Sequence, residues 1–263
     1  MLTKLLKYDL KYMIKNMGVF YILALVFSII TRILFSLNQT VIVNIIGQIS
    51  VGCLFSMIAN ILINTLMRSW VRFRDSIYKD ESYLTHTLPV TKNNIYDSKF
   101  IQTLIFFIIS FLIILVCLLI AYYTPDRWNM LKKFINTITT GLDFSTSFFV
   151  ISAILVIFLE IFNAIQCGFL GILTGYRKNN NKNGFSVLFG FIAYLTSQCI
   201  VLLLVFIVGL FNDSIMNLFK NSVLLDASSF KLLVVLSIIL YLLIIGLMNI
   251  LCKKVFNKGV NIE

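Results

Sequence analysis

Long apolar stretches alternate with short polar ones along this chain. A helix needs about 20 apolar residues to cross the hydrocarbon of a bilayer, and six stretches meet that length: 18–37, 45–67, 100–123, 147–174, 185–211 and 230–252. Their apolarity is continuous, so the pattern predicts helices; a barrel strand alternates over about ten residues. The fourth and fifth stretches are long enough to tilt or to extend past the bilayer. Ahead of the first, Leu2, Leu6, Leu10, Met13 and Met17 fall on one helical side, with Lys4, Lys7, Lys11 and Lys15 on another. That arrangement predicts an interfacial helix over residues 1–17, lying on an anionic leaflet. Segment 125–138 shows a similar split, Trp128, Leu131, Ile135 and Ile138 opposite Lys132, Lys133 and Asn136, and predicts a second surface helix. "RKNNNKNG" (177–184) has no periodicity and reads as a flexible link. The expected fold is all-α integral membrane. It comprises the interfacial helix 1–17, a six-span domain 18–252 with a largely polar segment 68–99 after the second span, and a tail 253–263.

Composition agrees with that class. The 263 residues are 59% hydrophobic and 13% charged, against about 25% charged in soluble domains. The formal charge of +11 lies in short segments between apolar runs and forms no single patch, which argues against nucleic acid as a partner. Lys and Arg cluster in 4–15, 68–99, 177–182 and 253–258; the intervening loops hold only Arg127, Lys132, Lys133, Lys220 and Lys231. The positive-inside rule places the first set, and with it both termini, in the cytoplasm. The run 18–37 is too long for a cleaved signal peptide, lacks a small-residue cleavage site and precedes five further spans. Four cysteines lie within spans and Cys252 at a membrane edge, so no outer disulfide is available and packing is their expected role.

Hydrolytic chemistry finds no support. With one histidine the chain holds neither H-E-x-x-H nor a triad built around a second histidine. "GILTGYRK" (171–178) has two glycines and a lysine, but it follows a span and does not match G-x-x-x-x-G-K-[ST]. Energy for any work must come from elsewhere.

The polar segment "YKDESYLTHTLPVTKNNIYDSKF" (78–100) holds that histidine, His86, and one of two prolines, Pro89. The second span is expected to continue past the membrane through 68–81, with Trp70, Phe73 and Ile77 on one side and Arg68, Arg72 and Asp75 on another. Pro89 disfavours helix at Leu88, and Thr91 is placed to cap a helix that runs on into the third span. Between them, 80–88 predicts a short helix. Asp80 and Glu81 sit at its favourable N-terminal end, and Tyr83, Leu84, His86 and Leu88 serve as contact residues. Its alternative is an ordinary solvated loop. Long ordered loops with exposed aromatic and leucine side chains are more often functional, which favours a mechanical handle.

This block, with Tyr83, Leu84, Thr87, Leu88, Pro89, Val90, Thr91 and Lys99, resembles the ABC-type-2 transporter permease family, particularly its small bacterial branch. The Lys-rich start "LLKYDLKY" (5–12) is similar as well. The resemblance implies that the segment between the second and third spans is a coupling helix docking on a separate ATPase. It implies that two permeases work with two ATPases, and that ATP and magnesium bind the partner subunit while this chain carries no cofactor. It also implies a bacterial cell membrane and, in many members, a re-entrant segment between the last two spans, here 212–229.

Within the spans, Glu160 is the one deep acid and Arg32 the one deep base. Each lies fourteen residues from its cytoplasmic span end, roughly 21 Å along the helix. Equal depth permits an ion pair, and a structural pair is weighed above a cargo contact. Asn60 and Asn64, with Ser56 on the same side, and Asn163 near Glu160 form polar stripes of the kind that glue helices together. So few charges favour an amphipathic or hydrophobic cargo, a peptide or lipid-like compound. The expected function is therefore the permease subunit of an ATP-driven exporter. A secondary transporter or channel, or a membrane immunity protein that sequesters a peptide, stays as an alternative. The former more often shows repeats or broken spans.

Overall fold

The computed structural model describes residues 2–37, 40–79, 81–87, 89–141, 145–212, 215–216 and 227–258. Eight helices are assigned there: α1 (Leu2–Ser36), α2 (Val41–Tyr78), α3 (Ser82–Thr87), α4 (Lys92–Tyr122), α5 (Pro125–Gly141), α6 (Thr146–Gly175), α7 (Lys182–Phe211) and α8 (Ala227–Asn257). All but α3 and α5 are long and apolar enough to cross a membrane, which gives the expected six-span all-α architecture. The chain divides into two compact units, Met1–Met130 and Leu131–Glu263, with α5 carrying the backbone from one to the other.

In the first unit α1 packs along both α2 and α4. Its buried seam is Asp9, Met13, Met17, Tyr21, Ala24, Ser28 and Thr31, steps of three and four that keep one face inward. Small and hydroxyl side chains let the backbones approach and bond across the seam. The Tyr21 hydroxyl meets Ser110 Oγ at 2.7 Å, Thr65 donates to Ser110 at 3.0 Å, and Thr31 meets Ser50 at 2.8 Å. Thr91 caps α4 as expected, accepting from the Asn94 N–H at 3.4 Å.

The helix expected over 1–17 is continuous with the first span. α1 runs unbroken through Gly18, because Met13 and Met17 are in helical register with Tyr21 and Ala24 and share their core. The lysine face is as expected, with Lys7, Lys11 and Lys15 exposed.

In the second unit α6 and α7 form a tight hairpin, and α8 packs on α6. The closest approach is at Gly171 and Gly175. A Cβ on Gly171 would stand 2.4 Å from the Ser186 carbonyl oxygen, and one on Gly175 would stand 2.4 Å from the Ser186 nitrogen. Only glycine permits this crossing. Of the segment 177–184, read as a flexible link, residues 177–181 make a hydrogen-bonded turn and 182–184 open α7. Lys178 N–H bonds the Gly175 carbonyl at 3.0 Å, and Arg177 Nη2 bonds the Val255 carbonyl at 2.9 Å. Asn181 reverses the chain at φ 48°, a left-handed conformation that asparagine tolerates. The helix expected at 125–138 is present as α5, with Trp128 and Leu131 exposed. The expected re-entrant segment, 212–229, lies largely outside the described residues.

Candidate functional site

The segment after α2 forms the short helix the sequence predicts, narrowed to Ser82–Thr87. Its first turn closes through the Ser82 N–H to the Lys79 carbonyl at 2.7 Å and the Thr85 N–H to the Glu81 carbonyl at 3.0 Å. What it buries is unexpected. Ser82 is 0% exposed and Thr85 8%, while Tyr83 is 72% and Leu84 73% exposed. Ser82 and Thr85 face the bundle, while Tyr83, Leu84 and Thr87 face outward. The chain itself leaves this aromatic and this leucine uncovered; burying such a side chain is worth about 1.5–3 kcal/mol. Neighbouring apolar residues exposed in this way mark a contact surface.

Beneath α3 lies a charge cluster that fixes its position. The Arg72 guanidinium donates to Asp9 Oδ1 from Nε at 3.0 Å and from Nη2 at 2.5 Å. Its Nη1 reaches Glu81 Oε1 at 2.6 Å. Lys99 Nζ donates to Asp9 Oδ2 at 2.5 Å. The Tyr12 ring lies 4.4 Å from the guanidinium carbon, within cation–π range. The Arg72, Asp9 and Lys99 side chains are 4%, 2% and 4% exposed, and that of Glu81 40%. Two cations and two anions balance. Two guanidinium donors on Oδ1 and the Lys99 ammonium on Oδ2 are charge-assisted bonds, and they offset the cost of taking the groups out of water. The four residues come from α1, the end of α2, the lip of α3 and the start of α4. Arg72 thus bridges Glu81 to Asp9 of α1, and Asp9 in turn holds Lys99 of α4.

The sequence-predicted residues divide accordingly. Glu81 sits beside the α3 N-terminus, as its charge implied, and is also an ion-pair partner. Tyr83 and Leu84 are presented outward. Pro89 is exposed beyond the helix. Asp80, Leu88 and the His86 side chain lie outside the described residues. Arg72, expected on a polar helix face, is instead buried, because Asp9 supplies the countercharge that makes burial tolerable. Lys99, read as a topological charge and as the lysine that ends the resembling block, is buried against the same carboxylate.

The intramembrane residues find partners within their own units. Arg32 donates to the Tyr123 carbonyl within the first unit. Glu160 accepts from the Tyr194 hydroxyl and from Gln198 Nε2, both at 2.7 Å, within the second. Asn163 bonds Ser197 Oγ across α6 and α7 at 3.0 Å and accepts from Cys167 Sγ at 3.7 Å, as expected of interhelical glue. Asn64 donates to the Asn60 carbonyl of its own helix at 2.9 Å. The stripe of Ser56, Asn60 and Asn64 is half-buried to exposed.

Sequence reasoning missed Asp9. Its signal was present: it is the only acid before Asp75, and it stands four residues before Met13 on the apolar face. A lone carboxylate on a buried stripe requires a cation, and Arg72 and Lys99 are those cations. The glycine pair was read against a nucleotide loop, whereas its four-residue spacing in a span indicates close helix packing.

Comparison of the chain with protein-family models, with curated proteins and with solved structures returned no match.

Proposed function

We propose that this chain is the transmembrane permease subunit of an ATP-driven exporter in a bacterial cell membrane. It works as one of a pair and takes its energy from a separate ATPase that binds ATP and magnesium. The observation that carries this reading is the reversed polarity of α3: Tyr83 and Leu84 outward, Ser82 and Thr85 inward, on a helix braced by the Asp9–Arg72–Lys99–Glu81 cluster. A helix held this way transmits force, and its apolar face awaits a partner. The resemblance of segment 78–99 to the coupling segment of ABC-type-2 permeases supports the same assignment. On this reading the Lys- and Arg-rich segments, both chain ends and α3 face the cytoplasm, following the positive-inside rule. ATPase closure pushes on α3, and the ionic cluster passes the movement to α1 and α4. The cargo is amphipathic or hydrophobic.

The test is purification of the tagged chain from its native membranes in mild detergent. A Walker-motif ATPase is expected to accompany it in equal amount. Tyr83→Asp with Leu84→Asp is expected to release that ATPase while the permease still inserts, because buried apolar anchors dominate interfaces. A chain that carries transport with no ATPase bound would overturn the proposal.

A further inference from the structure

Glu160 stands near the middle of α6, which runs Thr146–Gly175, roughly 21 Å along the axis from either end. Its surroundings on that helix, "AILVIFLEIF" (153–162), are otherwise apolar. A carboxylate at this depth is costly and requires a reason. Two donors from α7, the Tyr194 hydroxyl and Gln198 Nε2, both bond Oε1 at 2.7 Å. Gln198 is itself braced from α8, where the Tyr241 hydroxyl donates to Gln198 Oε1 at 3.4 Å. Three helices thus hold the carboxylate in one orientation. Among the described residues no lysine or arginine lies within ion-pair distance of it. In the first unit, by contrast, the buried Asp9 has both Arg72 and Lys99. Glu160 is partly and not fully buried.

We propose that Glu160 is a binding site for the cationic head of an amphiphile: a primary ammonium or guanidinium group on an apolar body. The carboxylate supplies the countercharge, and the apolar flank of α6 suits the body. A bare metal ion fits poorly, since hard cations take six or more oxygen ligands and a single carboxylate stands here. The inference deepens the transport reading by naming a cargo class, and rests on that reading only for its biological sense.

The test measures binding and needs no ATPase, so its failure is distinct from failure of the exporter assignment. The full chain is placed in nanodiscs of zwitterionic lipid. Fluorescence anisotropy follows a fluorescent long-chain primary amine and its N-acetylated, uncharged counterpart, with empty nanodiscs correcting for partition. The amine is expected to bind saturably and about tenfold or more tighter than the acetylated probe. Glu160→Gln keeps an oxygen for Tyr194 and Gln198, so the local frame persists, and the preference for the amine is expected to vanish. Equal affinity for the two probes on the unmodified chain would overturn the proposal, with no variant needed. So would a preference that survives Glu160→Gln.

Discussion

Asp9→Asn tests the ionic frame beneath α3. The change is nearly isosteric, but it removes the anion that Arg72 touches at 2.5 and 3.0 Å and Lys99 at 2.5 Å. Two cations, each about 4% exposed, are then left with Glu81 alone, which reaches only Arg72. Removing one member of a buried ionic group costs about 3–5 kcal/mol. At 2–4 °C per kcal/mol for a chain of this order of size, the melting temperature should fall by roughly 6–20 °C. The triple change Asp9→Leu, Arg72→Met, Lys99→Met removes all three charges and leaves Glu81 to solvent, so it should recover most of the loss. The assay is thermal unfolding of the purified full chain in detergent, following intrinsic fluorescence. A shift under about 2 °C for Asp9→Asn would refute the reasoning. So would a triple variant as unstable as the single effects combined, since residues in one network do not add.

Three further outcomes follow from the same geometry. Gly175→Ala places a Cβ 2.4 Å from the Ser186 backbone nitrogen, so α6 and α7 must separate; a loss of at least about 1–3 kcal/mol is expected in the same melt. Glu81→Gln should cost only about 1 kcal/mol or less, because its carboxylate is 40% exposed; a loss as large as that from Asp9→Asn would place the frame elsewhere. Ser110→Ala strips a partner from the buried Tyr21 hydroxyl and from Thr65, for an expected loss of about 1–3 kcal/mol.

Hydropathy alone yields the six spans, because a bilayer demands long continuous apolar helices and little else produces them. The α3 and Thr91 positions were also legible, since proline and capping chemistry act locally. The ionic cluster was not. Asp9, Arg72, Glu81 and Lys99 are scattered over 90 residues, and each alone suits a solvated helix end. Only packing of α1 against α2 and α4 brings them together. The link 177–184 misled for the opposite reason. Its composition is that of a coil, yet Asn181 in the left-handed region and the Gly171–Gly175 crossing pin residues 177–181 into a turn. The orientation of α3 likewise depends on which side the bundle covers, and that side takes Ser82 and Thr85.

The most direct measurement of the central claim is photocrosslinking in intact membranes. A photoreactive amino acid is placed singly at Tyr83 and at Leu84, with Val187, which is 74% exposed on a membrane-spanning helix, as the control. The account predicts that both α3 positions crosslink to one ATPase subunit, identified by mass spectrometry, and that Val187 does not. Crosslinks from Tyr83 and Leu84 to lipid or to this chain alone would contradict it.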